Sequence, residues 1–236
     1  LIIEIMSKEN KISPIVLTIH GKNKNEYIRL IEHAKSNNVD WIILQPLITK
    51  KSNNRSCFNF FQTILPYCEG KLVGIQNAKE YLGIGLNSYQ IHNLYNRFNN
   101  FRAIKAESSA VNIKREIKNY PKDLTVFNGR GGQEIIENIL AGCAGIIPTP
   151  ECSPTLNKTY KYILNKKYTS ADKEYKKILP TIVFIMQSID TLTFYGKRIF
   201  AKKLGINNVY DRKSNLYYDD FGKKLVKKFA SELNIN

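Results

Sequence analysis

Between residues 15 and 147 the sequence alternates between two kinds of segment, and this alternation constrains the fold more than any other feature. Six short runs are rich in apolar, β-branched and aromatic side chains: Ile15–Ile19, Trp41–Gln45, Leu72–Gln76, Phe101–Lys105, Leu124–Asn128 and Ala144–Ile147. Each has the length of a strand buried on both faces. Between them lie stretches with apolar residues at helical spacing, such as Tyr27, Leu30, Ile31 and Ala34, then Ile91, Leu94, Tyr95 and Phe98, then Ile135, Ile136, Ile139 and Leu140. Asn87-Ser88 is placed to cap one of these helices and Gly131-Gly132 to open another. A strand followed by a helix, six times over, predicts a parallel sheet with right-handed crossovers.

Successive strands start about 20 to 31 residues apart, the span of one β/α unit. A doubly wound open sheet should carry a glycine-rich phosphate loop after its first strand, and Ile19-His20-Gly21-Lys22 is not one. A TIM-type (β/α)8 barrel needs eight units, of which six are visible. The expected fold is therefore an α/β barrel of this type without its first two β/α units. The chain opens on Leu1, not Met, and runs at once into an amphipathic helical pattern, as if something preceded it. Beyond residue 150 strand signals stop. Pro154–Lys166, Ala171–Thr193, Phe194–Leu204 and Tyr217–Leu233 read as helices, with Gly205 as a stop signal. Residues 1–150 are thus expected to form the partial barrel carrying the active site, and 151–236 a helical extension packed on it.

Composition narrows the function classes. No stretch has the apolar length of a membrane span, and Leu1–Met6 is too short and too interrupted by Glu4 for a signal peptide. A cytoplasmic protein with no membrane partner is expected. Cys57, Cys68, Cys143 and Cys152 form no C-x-x-C pair, and His20, His33 and His92 are scattered, so reduced structural thiols and no metal are expected. The net charge of +16 comes from lysines spread along the chain among many asparagines. Without a recognition motif it does not indicate nucleic-acid binding. The densest basic stretch, Lys158–Lys177 with Tyr160, Tyr162, Tyr168 and Tyr175 interleaved, reads as solvated helix faces.

Active sites of (β/α) barrels lie at the C-terminal ends of the strands. The polar residues there are His20, Gln45, Gln76-Asn77, Lys105 with Glu107, Asn128 to Arg130, and Thr149. Lys105 closes an apolar strand, and strand alternation puts Glu107 on the same face, one layer nearer the mouth. An amine sheltered among apolar neighbours loses solvation of its ammonium form, and the free amine is the species that attacks a ketone. The competing reading is a lysine that ends a strand and reaches out to water, with Glu107 as a plain ion-pair partner.

Three motifs in order carry a family resemblance. Phe101-Arg102-Ala103-Ile104-Lys105-Ala106-Glu107-Ser108-Ser109 resembles the Schiff-base strand of the dihydrodipicolinate synthase / N-acetylneuraminate lyase family, usually G-I-K-[ED]-[AS]. Leu124–Arg130 resembles that family's next strand, which ends in a glycine at the pocket floor. Ala141-Gly142-Cys143-Ala144-Gly145-Ile146-Ile147 resembles its G-A-x-G-[VI]-I segment, and Pro180 with Lys202–Gly205 resembles its C-terminal helices. In the family the reactive lysine lies on the sixth barrel strand. Here it ends the fourth visible one, in keeping with two absent units.

The resemblance implies a lyase that activates a pyruvate-like or 2-keto-3-deoxy sugar acid through an imine on Lys105, with no other cofactor, in a homodimer or homotetramer. Glu107 is the implied acid/base or hydroxyl-orienting group. Gln76 and Asn77 would hydrogen-bond the substrate, the backbone at Gly129 and Ile147 would shape the pocket, and Arg130 would attract its carboxylate. The sequence departs from the family in lacking the G-T-T-G-E loop that binds the substrate carboxylate. It also has Gln76-Asn77-Ala78-Lys79 where the family has Y-N-x-P, so glutamine replaces the tyrosine that relays protons. The arginine that follows in the synthases has no counterpart; Tyr81 lies near its place. Lys105-x-Glu107 and Gly129-x-Gly131-Gly132 look more like the branch that dehydrates or cleaves 2-keto-3-deoxy acids. The alternative is a non-catalytic relative that binds a keto or sugar acid without turnover.

Overall fold

A computed structural model describes residues 2–9, 12–211 and 216–233. Six strands form one sheet in the order in which they occur: β1 (Val16–Ile19), β2 (Trp41–Leu44), β3 (Leu72–Asn77), β4 (Phe101–Ala106), β5 (Thr125–Gly131) and β6 (Gly145–Pro148). The pairings from β1 to β5 are all parallel. Sequential order with a helical crossover after each strand belongs to a (β/α) barrel. A doubly wound sheet reverses order at a switch point, and none occurs here. Each strand expected from the sequence is present, with β3, β4 and β5 running one to three residues further.

The chain divides into two compact units, residues 1–128 with 141–144, and residues 129–140 with 145–236. The first holds β1 to β4 and most of the crossovers: Lys24–Ser36, Asn54–Ile64 with a 3-10 turn at Leu65–Cys68, Ser88–Arg97 and Ala110–Ile117. Their helix starts are encoded locally. Asn23, Asn53 and Asn87 each accept a hydrogen bond from a backbone N–H in the first turn, and Asn53 and Asn87 complete capping boxes with Ser56 and Gln90. Ile31, Ile42, Phe61, Ile75, Leu94, Phe101 and Ile104 are fully buried between sheet and helices. Each fully buried Leu, Ile or Phe side chain contributes about 1.5–3 kcal/mol.

The second unit is helical around its own core of Ile135, Leu156, Tyr175, Ile182, Ile199 and Phe229. Its boundaries differ from the sequence expectation in instructive ways. The single helix expected over Ala171–Thr193 is several pieces, Tyr168–Lys176, Leu179–Ile185 and a short turn at Ile189–Thr191. Pro180 lacks the N–H that a continuing helix needs, so it starts a new one instead. Ser188 forms a capping box with Thr191 and forces another restart. The expected helix Phe194–Leu204 is a π-helical turn, Leu192–Gly196, followed by Lys197–Lys203, and Gly205 ends it at φ +71°. The last helix starts at Asp220 because the Asp219 carboxylate caps Gly222 N at 2.7 Å. The first runs Ile2–Glu9; Leu1 lies outside the described residues. Tyr175 is no solvated side chain: it is 8% exposed, its hydroxyl accepts a hydrogen bond from Glu134 N, and burial pushes its phenol up to about 12. Among the described residues no helix is long and apolar enough to cross a membrane.

Candidate active site

Strand alternation sorts the side chains of β3 and β4. The Arg102 guanidinium lies 4.9 Å from the centre of the Tyr95 ring on helix Ser88–Arg97, so the face bearing Arg102 and Ile104 is the helix-covered one. Ala103 and Lys105 point the other way. A Cβ placed on Gly74 would meet both the Ala103 Cβ and Ile43 Cγ1 at 3.4 Å, which puts Ile43, Gly74 and Ala103 in one layer on that opposite face. The next layer up pairs Gln76 with Lys105 in register.

Lys105 Nζ lies 2.9 Å from Glu107 Oε1, and their side chains are 14% and 13% exposed. Gln76 Nε2 donates to the same oxygen at 2.9 Å. One carboxylate oxygen therefore accepts from both the ammonium and the amide. The other end of the Gln76 amide, Oε1, is buried without a hydrogen-bond partner. A buried acceptor left open is costly unless a ligand or water fills it. The triad joins a candidate nucleophile, a base within direct reach and an open acceptor.

Asn77 follows on β3, and both ends of its amide are engaged within the protein. Its amide donates to Leu86 O at 3.1 Å and accepts from Leu86 N at 2.9 Å, pinning the loop after the short helix Lys79–Leu82. That loop passes so close that a Cβ on Gly85 would sit 2.4 Å from Asn77 Oδ1, so only glycine fits. The Asn77 carbonyl accepts from Glu107 N at 3.2 Å, holding the end of β4 against β3. His20, just after β1, is exposed.

The remaining expected site residues belong to the second unit. Gly129 and Arg130 lie in β5 and Ile147 in β6, all partly exposed. Arg130 pairs with Glu134 at 2.8 Å, one helical turn on in sequence. Gly131 and Gly132 turn the chain at φ +67° and +107°, and a Cβ on Gly131 would strike Met186 Sδ at 2.6 Å. The cysteines are buried and free, with burial raising Cys57 and Cys143 to about 11 and Cys68 and Cys152 to about 12. Such thiols are poor nucleophiles at neutral pH. No group of three or more metal-ligating side chains converges among the described residues.

No protein-family model and no curated protein matches the sequence. Solved structures do match. The sialic acid aldolase of Ruminococcus gnavus superposes with a TM-score of 0.84 at 18% identity, over 97% of this chain and 76% of that one. A dihydrodipicolinate synthase from Aquifex aeolicus gives 0.85 at 14% identity, over 99% and 80%. The chloride-inhibited dihydrodipicolinate synthase from Acinetobacter baumannii, complexed with pyruvate, gives 0.82 at 16% identity, again over 99% and 80%. The chain has the fold of the dihydrodipicolinate synthases and sialic acid aldolases.

Within that fold, Glu80, Asn128 and Glu151 also stand out, of which only Asn128 was among the polar strand ends of the sequence. Glu80 Oε1 accepts from Ser108 Oγ at 2.5 Å and from Asn112 Nδ2 at 2.7 Å, tying the segment after β3 to the segment after β4. Asn128 is fully buried and its amide donates to Ser108 O at 3.1 Å, fixing the same segment from β5. Together they hold the chain just past Glu107. Asn128 carried a signal as a polar strand end; Glu80 carried none, because its partners lie 28 and 32 residues away. In the second unit, Glu151 is 2% exposed with Oε1 unpartnered. Burial pushes its carboxyl above the usual range, against opposing pulls from Thr149 and Lys203.

Proposed function

We propose that this protein is a lyase of the dihydrodipicolinate synthase / N-acetylneuraminate lyase family that acts on a pyruvate-like or 2-keto-3-deoxy sugar acid through an imine on Lys105. The observation that carries the reading is the Lys105–Glu107 pair, sheltered on the face of the sheet opposite the helices and in register with Gln76. Two likenesses support it: a solved structure of similar fold holds pyruvate, and another is of a sialic acid aldolase catalytic lysine mutant, matched at TM-score 0.80 and 18% identity.

Glu107, 2.9 Å away, takes a proton from the Lys105 ammonium. The freed amine attacks the keto carbon, and a carbon–nitrogen bond forms as the carbonyl π electrons move to oxygen. Glu107 returns that proton to the oxygen and then carries a second proton to it from the nitrogen, so the oxygen leaves as water and the carbon–nitrogen bond becomes the protonated imine. The imine draws electrons from the C3 position, so either a C3 proton is lost or the C3–C4 bond breaks, and hydrolysis then frees Lys105. Glu107 thereby does work for which Gln76 has no titratable proton. The open Gln76 Oε1 would accept a hydrogen bond from a substrate hydroxyl. Arg130 and the backbone at Gly129 and Ile147 are proposed to meet the rest of the substrate.

Glutamine at position 76 also favours a second reading, in which the chain binds a keto or sugar acid without turning it over. Turnover assays over a panel of 2-keto and 2-keto-3-deoxy acids separate the two. The lyase reading expects loss of substrate, abolished in Lys105→Ala; saturable binding without product from any member of the panel would overturn it.

A further inference from the structure

The helical unit has a second feature that the lysine chemistry does not use. Between the end of helix Lys197–Lys203, the segment after it and helix Asp220–Glu232 lies a cavity of about 460 Å³. That volume is in the range of small-molecule sites. Among the described residues its lining includes Arg198, Lys202, Lys223 and Lys227 and no carboxylate.

One wall is rigidly built. Arg198 is 8% exposed, with its guanidinium 3.7 Å from the Phe194 ring centre and 4.8 Å from that of Tyr218. It donates to Asp211 Oδ2 at 2.5 Å and to Phe194 O at 2.9 Å. Lys197 Nζ joins it on Asp211 at 2.5 Å and also donates to Tyr210 O at 2.6 Å, which fastens the segment that closes the cavity. Asp211, held down to about 2 by Arg198 and Lys197, is ionised and fully engaged by these two cations. It does not line the cavity.

The remaining cations are arranged differently. Lys223 and Lys227 are one turn apart on the same helix face, and Lys202 comes from the other helix. Lys223 shares its charge with the exposed Asp220 at 2.9 Å. Lys202 and Lys227 have no partner among the described residues. Lys202 and Lys227, like charges on one cavity that neither Asp211 nor Asp220 neutralises, repel, and a bound anion removes that cost.

We infer that this cavity is a binding site for a small phosphate-bearing anion, held by Lys202, Lys223 and Lys227 against the wall that Arg198 and Tyr218 form. A multiply charged phosphate offers each ammonium its own acceptor oxygen, which a monocarboxylate cannot do. The site is independent of the Lys105 reading and stands or falls separately.

The test is calorimetric titration of the whole chain with inorganic pyrophosphate at fixed ionic strength. It compares the parent protein with the double variant Lys202→Gln/Lys227→Gln and a control of equal charge loss, Lys161→Gln/Lys166→Gln. All four lysines are exposed, so the variants should fold, and circular dichroism melts check this. The inference expects saturable one-to-one binding, weakened on the order of tenfold in the first variant and unchanged in the control, as loss of charge-assisted hydrogen bonds should produce. Absent saturation, or equal weakening in both variants, overturns it. Preferential binding of a single-stranded oligonucleotide with a steep salt dependence also overturns it, since the face would then be a nucleic-acid surface.

Discussion

Replacing Glu107 with leucine strands two donors at once, the Lys105 ammonium and the Gln76 amide, both bonded to its Oε1 at 2.9 Å. Two unit charges about 4 Å apart attract by about 4 kcal/mol at the effective dielectric that suits most protein sites. Desolvation of both partners offsets much of this, so the pair's net contribution is small, while breaking it from one side costs about 3–5 kcal/mol when burial is complete. Both side chains retain some exposure, at 14% and 13%. Gln76 can also turn its open Oε1 toward the ammonium, so Glu107→Leu should cost about 2–4 kcal/mol. Lys105→Met should cost a similar amount by stranding the carboxylate, softened by the Gln76 hydrogen bond that remains. The double variant removes both charges and should sit within about 1 kcal/mol of the parent, a coupling energy of about 3 kcal/mol or more. Urea unfolding of the four proteins with a common m-value measures this cycle. Single variants within about 0.5 kcal/mol of the parent, or additive effects, would mean that the pair is solvated and that the shelter claimed for Lys105 does not exist.

Other consequences are quickly checked. Asn77→Ala leaves both Leu86 backbone groups unpaired in a buried position, and should lower stability by about 2–4 kcal/mol in the same unfolding assay. Glu151→Gln tests the buried carboxyl of the helical unit. Its folded pKa lies above the reference value of 4.5, so above that pH the unfolded chain sheds a proton that the native state keeps. Parent stability should therefore fall as pH rises from 4.5 toward the folded pKa and then level off. The glutamine variant should lack this slope and be the more stable protein at neutral pH. Parallel pH profiles for the two proteins would refute the assignment.

The barrel-type sheet is legible in the sequence because it rests on local signals that repeat. Each strand is a short apolar run, and Asn87 announces its helix through a side chain that reaches only three residues ahead. The helical unit was less legible for the same reason. Pro180 and Ser188 break a periodic apolar pattern that otherwise continues through them, and periodicity is the stronger visual signal. At the candidate site, Lys105 and Glu107 could be paired from strand alternation alone. Gln76 could be placed near them only by the register of β3 on β4, which no local pattern encodes. The Asn77–Leu86 clamp, the Glu80 tie and the open acceptors of Gln76 and Glu151 depend on which partners the fold brings or fails to bring.

The central claim is that the Lys105 amine forms an imine with a 2-keto acid, and covalent trapping tests it most directly. The protein is incubated with pyruvate or a 2-keto-3-deoxy acid, reduced with borohydride and digested, and its peptides are weighed. The account expects one adduct, of the mass of the reduced keto acid, on the peptide containing Lys105 and absent from Lys105→Ala. Adducts spread over surface lysines, or none with any acid of a broad panel, would contradict it.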